Sequence, residues 1–89
     1  MPDVAVVLPP ALLRLFPGCP ADHVVAAATV ADVIEALTRR WPGMRDRLCD
    51  STPQLRRHIN VFIEGERAAL DTRIAPGAEV FVMTAISGG

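Results

Sequence analysis

The spacing of apolar residues changes along the chain, and each change predicts an element. Val4 to Leu8 is a β-branched apolar run stopped by Pro9-Pro10, which reads as a buried strand. Ala11 to Phe16 is apolar enough for a helical turn or a packed loop, and Pro17-Gly18-Cys19-Pro20 is a turn by composition. His23 to Ala27 is a second extended run, expected to pair with the first. Val30, Val33, Ile34, Leu37 and Trp41 then recur at helical spacing, with Asp32, Glu35, Arg39 and Arg40 on the other side. Thr29 offers an N-cap hydroxyl, Asp32 sets a carboxylate in the first turn against the helix dipole, and Pro42-Gly43 stops the helix.

Met44 to Leu55 is less regular, with Asp50-Ser51 and Pro53 inside it, and predicts a short helical turn followed by a loop. His58 to Glu64 alternates as a strand, Gly65-Glu66 has the composition of a hairpin turn, and Arg67 to Leu70 returns. Pro76-Gly77 is a type II turn candidate before the last strand, Glu79 to Ile86. The order is strand, strand, helix, strand, short strand, strand. It implies an α+β domain with a mixed sheet of four to five strands and one main helix across one face. A right-handed crossover sets the last strand parallel to the first. This is a β-grasp arrangement, although the pattern alone also admits a ferredoxin-like or other α+β sheet lacking one helix. Residues 1–84 form the expected domain and residues 85–89 a flexible Gly-Gly tail.

Alternation along the strands assigns faces. Ile59, Val61 and Ile63 share one face with Val80, Val82 and Thr84, and this β-branched set suits the helix-covered side. Phe62, Phe81 and Met83 then stand on the open side, an apolar patch of the kind that docks a partner. The alternative is that the segment from Pro9 to Pro20 folds over them.

Composition narrows the function. At 89 residues and 51% hydrophobic, the chain is one domain with a core of its own. Its nine basic residues are all Arg, no Arg run exceeds two, and the net charge is −1, so the clustered basic excess of a nucleic-acid surface is missing. Arg56-Arg57 is either a solvated pair or a contact for acidic residues of a partner. Cys19 and Cys49 have no ligand or redox spacing and read as reduced, small core residues; His23 and His58 read as structural, and Trp41 as core. No metal site is expected. The start of the chain lacks the pattern of a signal peptide and no apolar run reaches a membrane span, so the expected location is cytoplasmic, with no membrane partner.

The remaining feature is the end of the sequence, Ile86-Ser87-Gly88-Gly89. Two closing glycines arise by chance in roughly one chain in two hundred at average Gly usage, so the weight comes from their context after a small β-rich domain. Glycine has no Cβ, fits a narrow channel and takes whatever backbone conformation the channel demands. Four or five extended residues reach about 13–18 Å, enough to carry a carboxylate from a domain surface into another protein's catalytic centre. An ionised carboxylate is a poor electrophile and needs activation, for which adenylation is the obvious route. The sequence holds neither a phosphate-binding Gly-rich loop nor a Lys, so activation is assigned to a separate enzyme that carries the ATP and Mg²⁺.

These features together resemble the MoaD/ThiS family of ubiquitin-like sulfur carriers. The resemblance rests on Val4-Ala5-Val6-Val7-Leu8 with Leu12, Leu13 and Phe16, and on Thr29-Val30-Ala31-Asp32-Val33-Ile34. It continues through Ile59-Asn60-Val61-Phe62-Ile63-Glu64-Gly65-Glu66, Pro76-Gly77-Ala78-Glu79-Val80 and Ile86-Ser87-Gly88-Gly89. It implies a β-grasp fold and a carrier rather than an enzyme, on its own or as the small subunit of a synthase. An adenylating, ubiquitin-activating-like enzyme would place AMP on Gly89 and exchange it for sulfur, with Ile86, Ser87 and Gly88 in that enzyme's channel. A sulfur-accepting synthase or large subunit would then take the sulfur. The length and Leu55-Arg56-Arg57-His58 look closer to molybdopterin-type and cysteine-forming carriers than to the thiamine type. The other reading is a ubiquitin-like modifier joined through Gly89 to protein lysines. Ala78 departs from the Asp that many relatives carry there and alters only a surface turn.

Overall fold

The computed structural model describes residues 2–52 and 54–84. The first β-branched run forms strand β1, Asp3–Val7, and Pro9 and Pro10 turn the chain into a single helical turn, α1, Pro10–Leu13. Strand β2, Asp22–Ala26, returns antiparallel to β1. Helix α2, Val30–Arg40, crosses the sheet, and a shorter helix α3, Met44–Leu48, follows it. Strands β3, Ile59–Ile63, β4, Glu66–Ala68, and β5, Glu79–Thr84, complete the order. The five strands form one sheet in the order β2-β1-β5-β3-β4, with β5 parallel to β1 and antiparallel to β3. This is the β-grasp topology the pattern predicts.

The helix start is fully accounted for. The Val30 and Ala31 amides donate to the Thr72 and Leu70 carbonyls, the Asp32 amide to Thr29 Oγ1, and the Val33 amide to the Thr29 carbonyl. Asp32 returns the favour through Oδ2, which accepts from the amides of Ala28 and Thr29 at 3.0 and 3.2 Å. The four amides that a helix leaves without partners are thus satisfied, half of them by the connector between β4 and β5. That connector is thereby tied to the helix, and Ile74 is buried beneath it.

Val30, Val33, Ile34 and Leu37 of α2 pack with Val4, Val6, Val25, Val61, Val80 and Val82 in a mostly aliphatic core. Leu12 of α1 and Met44 of α3 are buried in the same core. The segment from Pro9 to Pro20 packs there, where Phe16 approaches Gly43 and Trp41 approaches Gly18. It does not cover Phe81 or Met83, which keep 38% and 50% of their surface exposed.

One turn lies a residue earlier than the composition suggests. The β3–β4 hairpin turns at Glu64-Gly65, with φ of 52° and 83°, and not at Gly65-Glu66. Two consecutive positive φ values match the twist of the flanking strands, and the Glu side chain hides this from a composition-based reading. The type II turn at Pro76-Gly77 forms as expected, with Gly77 at φ 79° and the Ala78 amide donating to the Ala75 carbonyl.

Candidate functional site

The strand register places the outer-face residues in a row across all five strands. Asp22 of β2 lies beside Val7 of β1, Val7 beside Phe81 of β5, Phe81 beside Phe62 of β3, and Phe62 beside Arg67 of β4. The row has an apolar middle and a charge of opposite sign at each end. One step towards the end of β5, Met83 pairs with Asn60, whose Oδ1 accepts from Arg67 Nη2 at 2.8 Å. Phe62 is half-buried between its neighbours, while Phe81 and Met83 project into solvent. Among the described residues no helix packs on this side, and Val24 of β2 extends the apolar surface at 59% exposure.

Arg56 and Arg57 stand apart from this row, in the exposed turn that leads into β3. Both line a groove of about 600 Å³ whose floor includes the inner-face residues Ile59, Val61 and Ala68. The structure therefore brings Phe62, Phe81 and Met83 together and sets the arginine pair at a groove that Asn60 and Arg67, at the edge of that row, also line. Arg67, Asn60 and Val24 were not singled out from the sequence. Arg67 becomes visible only once the hairpin turn is placed at Glu64-Gly65, because a turn shifted by one residue moves every cross-strand partner by two.

The expected chemical centre, Gly89, with Ile86, Ser87 and Gly88 before it, lies outside the described residues. What the structure fixes is the point that precedes them. Thr84, the last residue of β5, pairs with Ile59, and β5 is hydrogen-bonded to a strand on either side.

Of the other reactive side chains, His23, Cys19 and Cys49 are buried and His58 is exposed. His23 is buried on the inner face, and its Nε2–H donates to the Pro20 carbonyl at 2.7 Å, which fixes the turn before β2. Cys19 Sγ lies 3.5 Å from the same nitrogen. Burial pushes the thiols of Cys19 and Cys49 up from the ordinary cysteine range. At Asp50, hydrogen bonds from the Thr52 hydroxyl and from the amides of Thr52 and Gln54 hold the carboxyl below the ordinary range. Among the described residues no group of three or more His, Cys, Asp and Glu is placed to hold a metal ion, and no helix is long and apolar enough to cross a membrane.

A five-stranded mixed sheet, gripping one crossing helix and open on its other face, defines a ubiquitin-like β-grasp protein. The sequence matches the ThiS family over residues 13–89, and the chain belongs to that family. It is 39% identical over 62 residues to small archaeal modifier protein 1 of Haloferax volcanii, covering 70% of this chain and 71% of that one. It is 31% identical over 86 residues to the sulfur carrier protein CysO of Mycobacterium tuberculosis, covering 90% and 92% of the two chains. Among solved structures, a chain of the Amycolatopsis orientalis BexX/CysO complex superposes with a TM-score of 0.82 at 28% identity, over 97% of this chain and 99% of that one.

Proposed function

We propose that this protein is a sulfur carrier, acting as the substrate of a separate enzyme and not as a catalyst. The carboxylate of Gly89 attacks the α-phosphorus of ATP in a ubiquitin-activating-like enzyme, giving the acyl-adenylate and pyrophosphate. A sulfide equivalent then attacks the acyl carbon, AMP leaves, and a thiocarboxylate remains on Gly89. That sulfur passes to an acceptor enzyme in molybdopterin or cysteine biosynthesis. ATP and Mg²⁺ belong to the activating partner. The observation that carries the reading is the family match, which runs through Gly88 and Gly89 and so includes the residues that would do the work.

The geometry supports it in two ways. The Phe62–Phe81–Met83 surface offers an uncovered apolar platform of the type that anchors protein interfaces. Phe81 and Met83 belong to the strand that leads into residues 85–89, so docking the platform would present the terminus to the same partner. Arg56 and Arg57 would meet acidic groups of that partner. The reading requires Gly89 to be, or by processing to become, the end of the polypeptide.

The 39% identity to a small archaeal modifier favours a second role, isopeptide conjugation through Gly89 to lysines of other proteins. Intact-mass spectrometry separates the two. Incubation with the adenylating enzyme of the same organism, ATP, Mg²⁺ and a sulfur donor should replace one oxygen by one sulfur in the intact chain. Adducts with other proteins would instead indicate conjugation. Deleting Gly89 should abolish either product while leaving the melting temperature unchanged, and a Gly89-deleted chain that still accepts sulfur would refute the assignment.

A further inference from the structure

Where β5 leaves the sheet, several segments converge on a cleft of about 480 Å³. Thr84 and Ile59 of the sheet line it together with the apolar Leu12 and Leu15 and the polar Asp46, Arg47, Arg56 and His58. Arg56 is held in place before any partner arrives. Its amide donates to the Leu48 carbonyl at 2.9 Å, its carbonyl accepts from the Ile59 amide at 2.9 Å, and its Nε donates to the Asp46 carbonyl at 2.8 Å. Among the described residues the terminal nitrogens of the guanidinium take no hydrogen bond.

Of the neighbouring carboxylates, Glu35 pairs with Arg45, while Asp50 accepts from Thr52 and Gln54 and lies near enough to feel the Arg56 charge without forming an ion pair with it. Asp46 is the one carboxylate of the cleft, and among the described residues neither Arg47 nor Arg56 forms an ion pair. A fixed guanidinium beside a second arginine and apolar side chains is complementary to a carboxylate-bearing protein segment. It is also set at the root of the tail and not on the outer face that carries Phe81 and Met83.

Resting on the carrier reading above, we infer that Arg47 and Arg56 form a basic collar that recognises an acidic rim around the partner's tail-accepting channel. The rim meets the collar when the tail is inserted, because the collar shares its cleft with Thr84, the residue that precedes the tail. The two contacts then divide the work. The platform holds the complex, and the collar speeds approach and orients the tail, since exposed charges act mainly on association rate and salt dependence.

The test is surface plasmon resonance with the adenylating enzyme of the same organism, measured from about 20 mM to 0.5 M salt, across which exposed charges pass from weakly to strongly screened. Arg47→Glu/Arg56→Glu should slow association about tenfold at the low end and converge with the native chain at the high end, with dissociation changed by less than about twofold. Phe81→Ala should do the reverse, speeding dissociation without altering the salt slope. Should the reversal variant melt early, Arg47→Gln/Arg56→Gln serves in its place, with a flatter salt slope expected. An unchanged slope in a folded variant overturns the collar while leaving the carrier reading intact. Tighter binding, the mark of a collar occupied by this chain's own Gly89 carboxylate, overturns it as well. Failure of the native chain to be adenylated at all refutes the carrier reading itself.

Discussion

Two adjacent residues of β5 should respond to the same substitution in opposite ways. Val80 is fully buried between Val6 and Ile63, whereas Phe81 lies between Val7 and Phe62 with 38% of its surface in water. Val80→Ala removes two buried carbons at about 0.8 kcal/mol each and leaves a cavity, about 2–3 kcal/mol in all. For a domain of this size that lowers the melting temperature by about 10–20 °C. Phe81→Ala forfeits cross-strand contact and strand preference on a half-open face, about 1 kcal/mol or about 4–8 °C. In binding to the adenylating enzyme the order inverts. Phe81→Ala should cost about 2 kcal/mol or more, roughly thirtyfold in Kd, as expected of an aromatic anchor at the centre of an interface. The folded fraction of Val80→Ala should bind within about twofold of the native chain. Thermal melts by circular dichroism and calorimetric titration supply both readouts on the same samples. If Phe81→Ala proves the less stable of the two, or binds normally, the assignment of faces or of the platform is wrong.

Two further outcomes concern stability alone. Asp32→Ala should destabilise more than Thr29→Ala, about 2 against about 1 kcal/mol in denaturant melts, because Asp32 accepts from two amides while the Thr29 hydroxyl accepts from one. The double variant should lose less than the sum, since each residue completes the other's hydrogen bonds. For Asp50 the folded carboxyl titrates below its unfolded value, so its stabilisation is present above the unfolded pKa and is lost as pH falls through the folded one. The melting temperatures of the native chain and Asp50→Ala should therefore differ at neutral pH and converge in acid, and a difference that persists there would contradict it.

The parts of this fold legible in the sequence were those set by periodicity. The α2 stripe from Val30 to Leu37, its Thr29 cap, and the alternation that put Val80 inside and Phe81 outside all follow from side-chain direction in regular backbone. The parts that escaped depend on contacts between distant segments or on rare backbone geometry. Nothing local announces that the Val30 and Ala31 amides will be capped by carbonyls of residues 72 and 70. The hairpin turn was misplaced because Glu64 adopts a φ of 52°, a conformation more usual for Gly, Asn or Asp. Arg67 joined the platform, and Arg47 the collar, only through three-dimensional placement. His23 and Cys19 were legible as residues without a chemical role, and the structure supplies the bond that explains the histidine's burial.

The position of β5 explains how a domain with so small a working end can serve as a carrier. It is an inner strand whose residues Glu79 to Phe81 pair with β1 and whose residues Val80 to Thr84 pair with β3, so freeing Thr84 requires peeling it from Ile59 of β3. The point of departure of residues 85–89 is therefore fixed relative to the Phe81–Phe62 row. In the proposed complex, five residues of reach, about 16 Å, confine the Gly89 carboxylate to a volume equivalent to a local concentration on the order of 0.1 M. At such a concentration a tail that contributes few contacts of its own still fills its channel. Affinity can then reside in side chains of the sheet, and Gly89, the proposed sulfur-bearing residue, is free to have none.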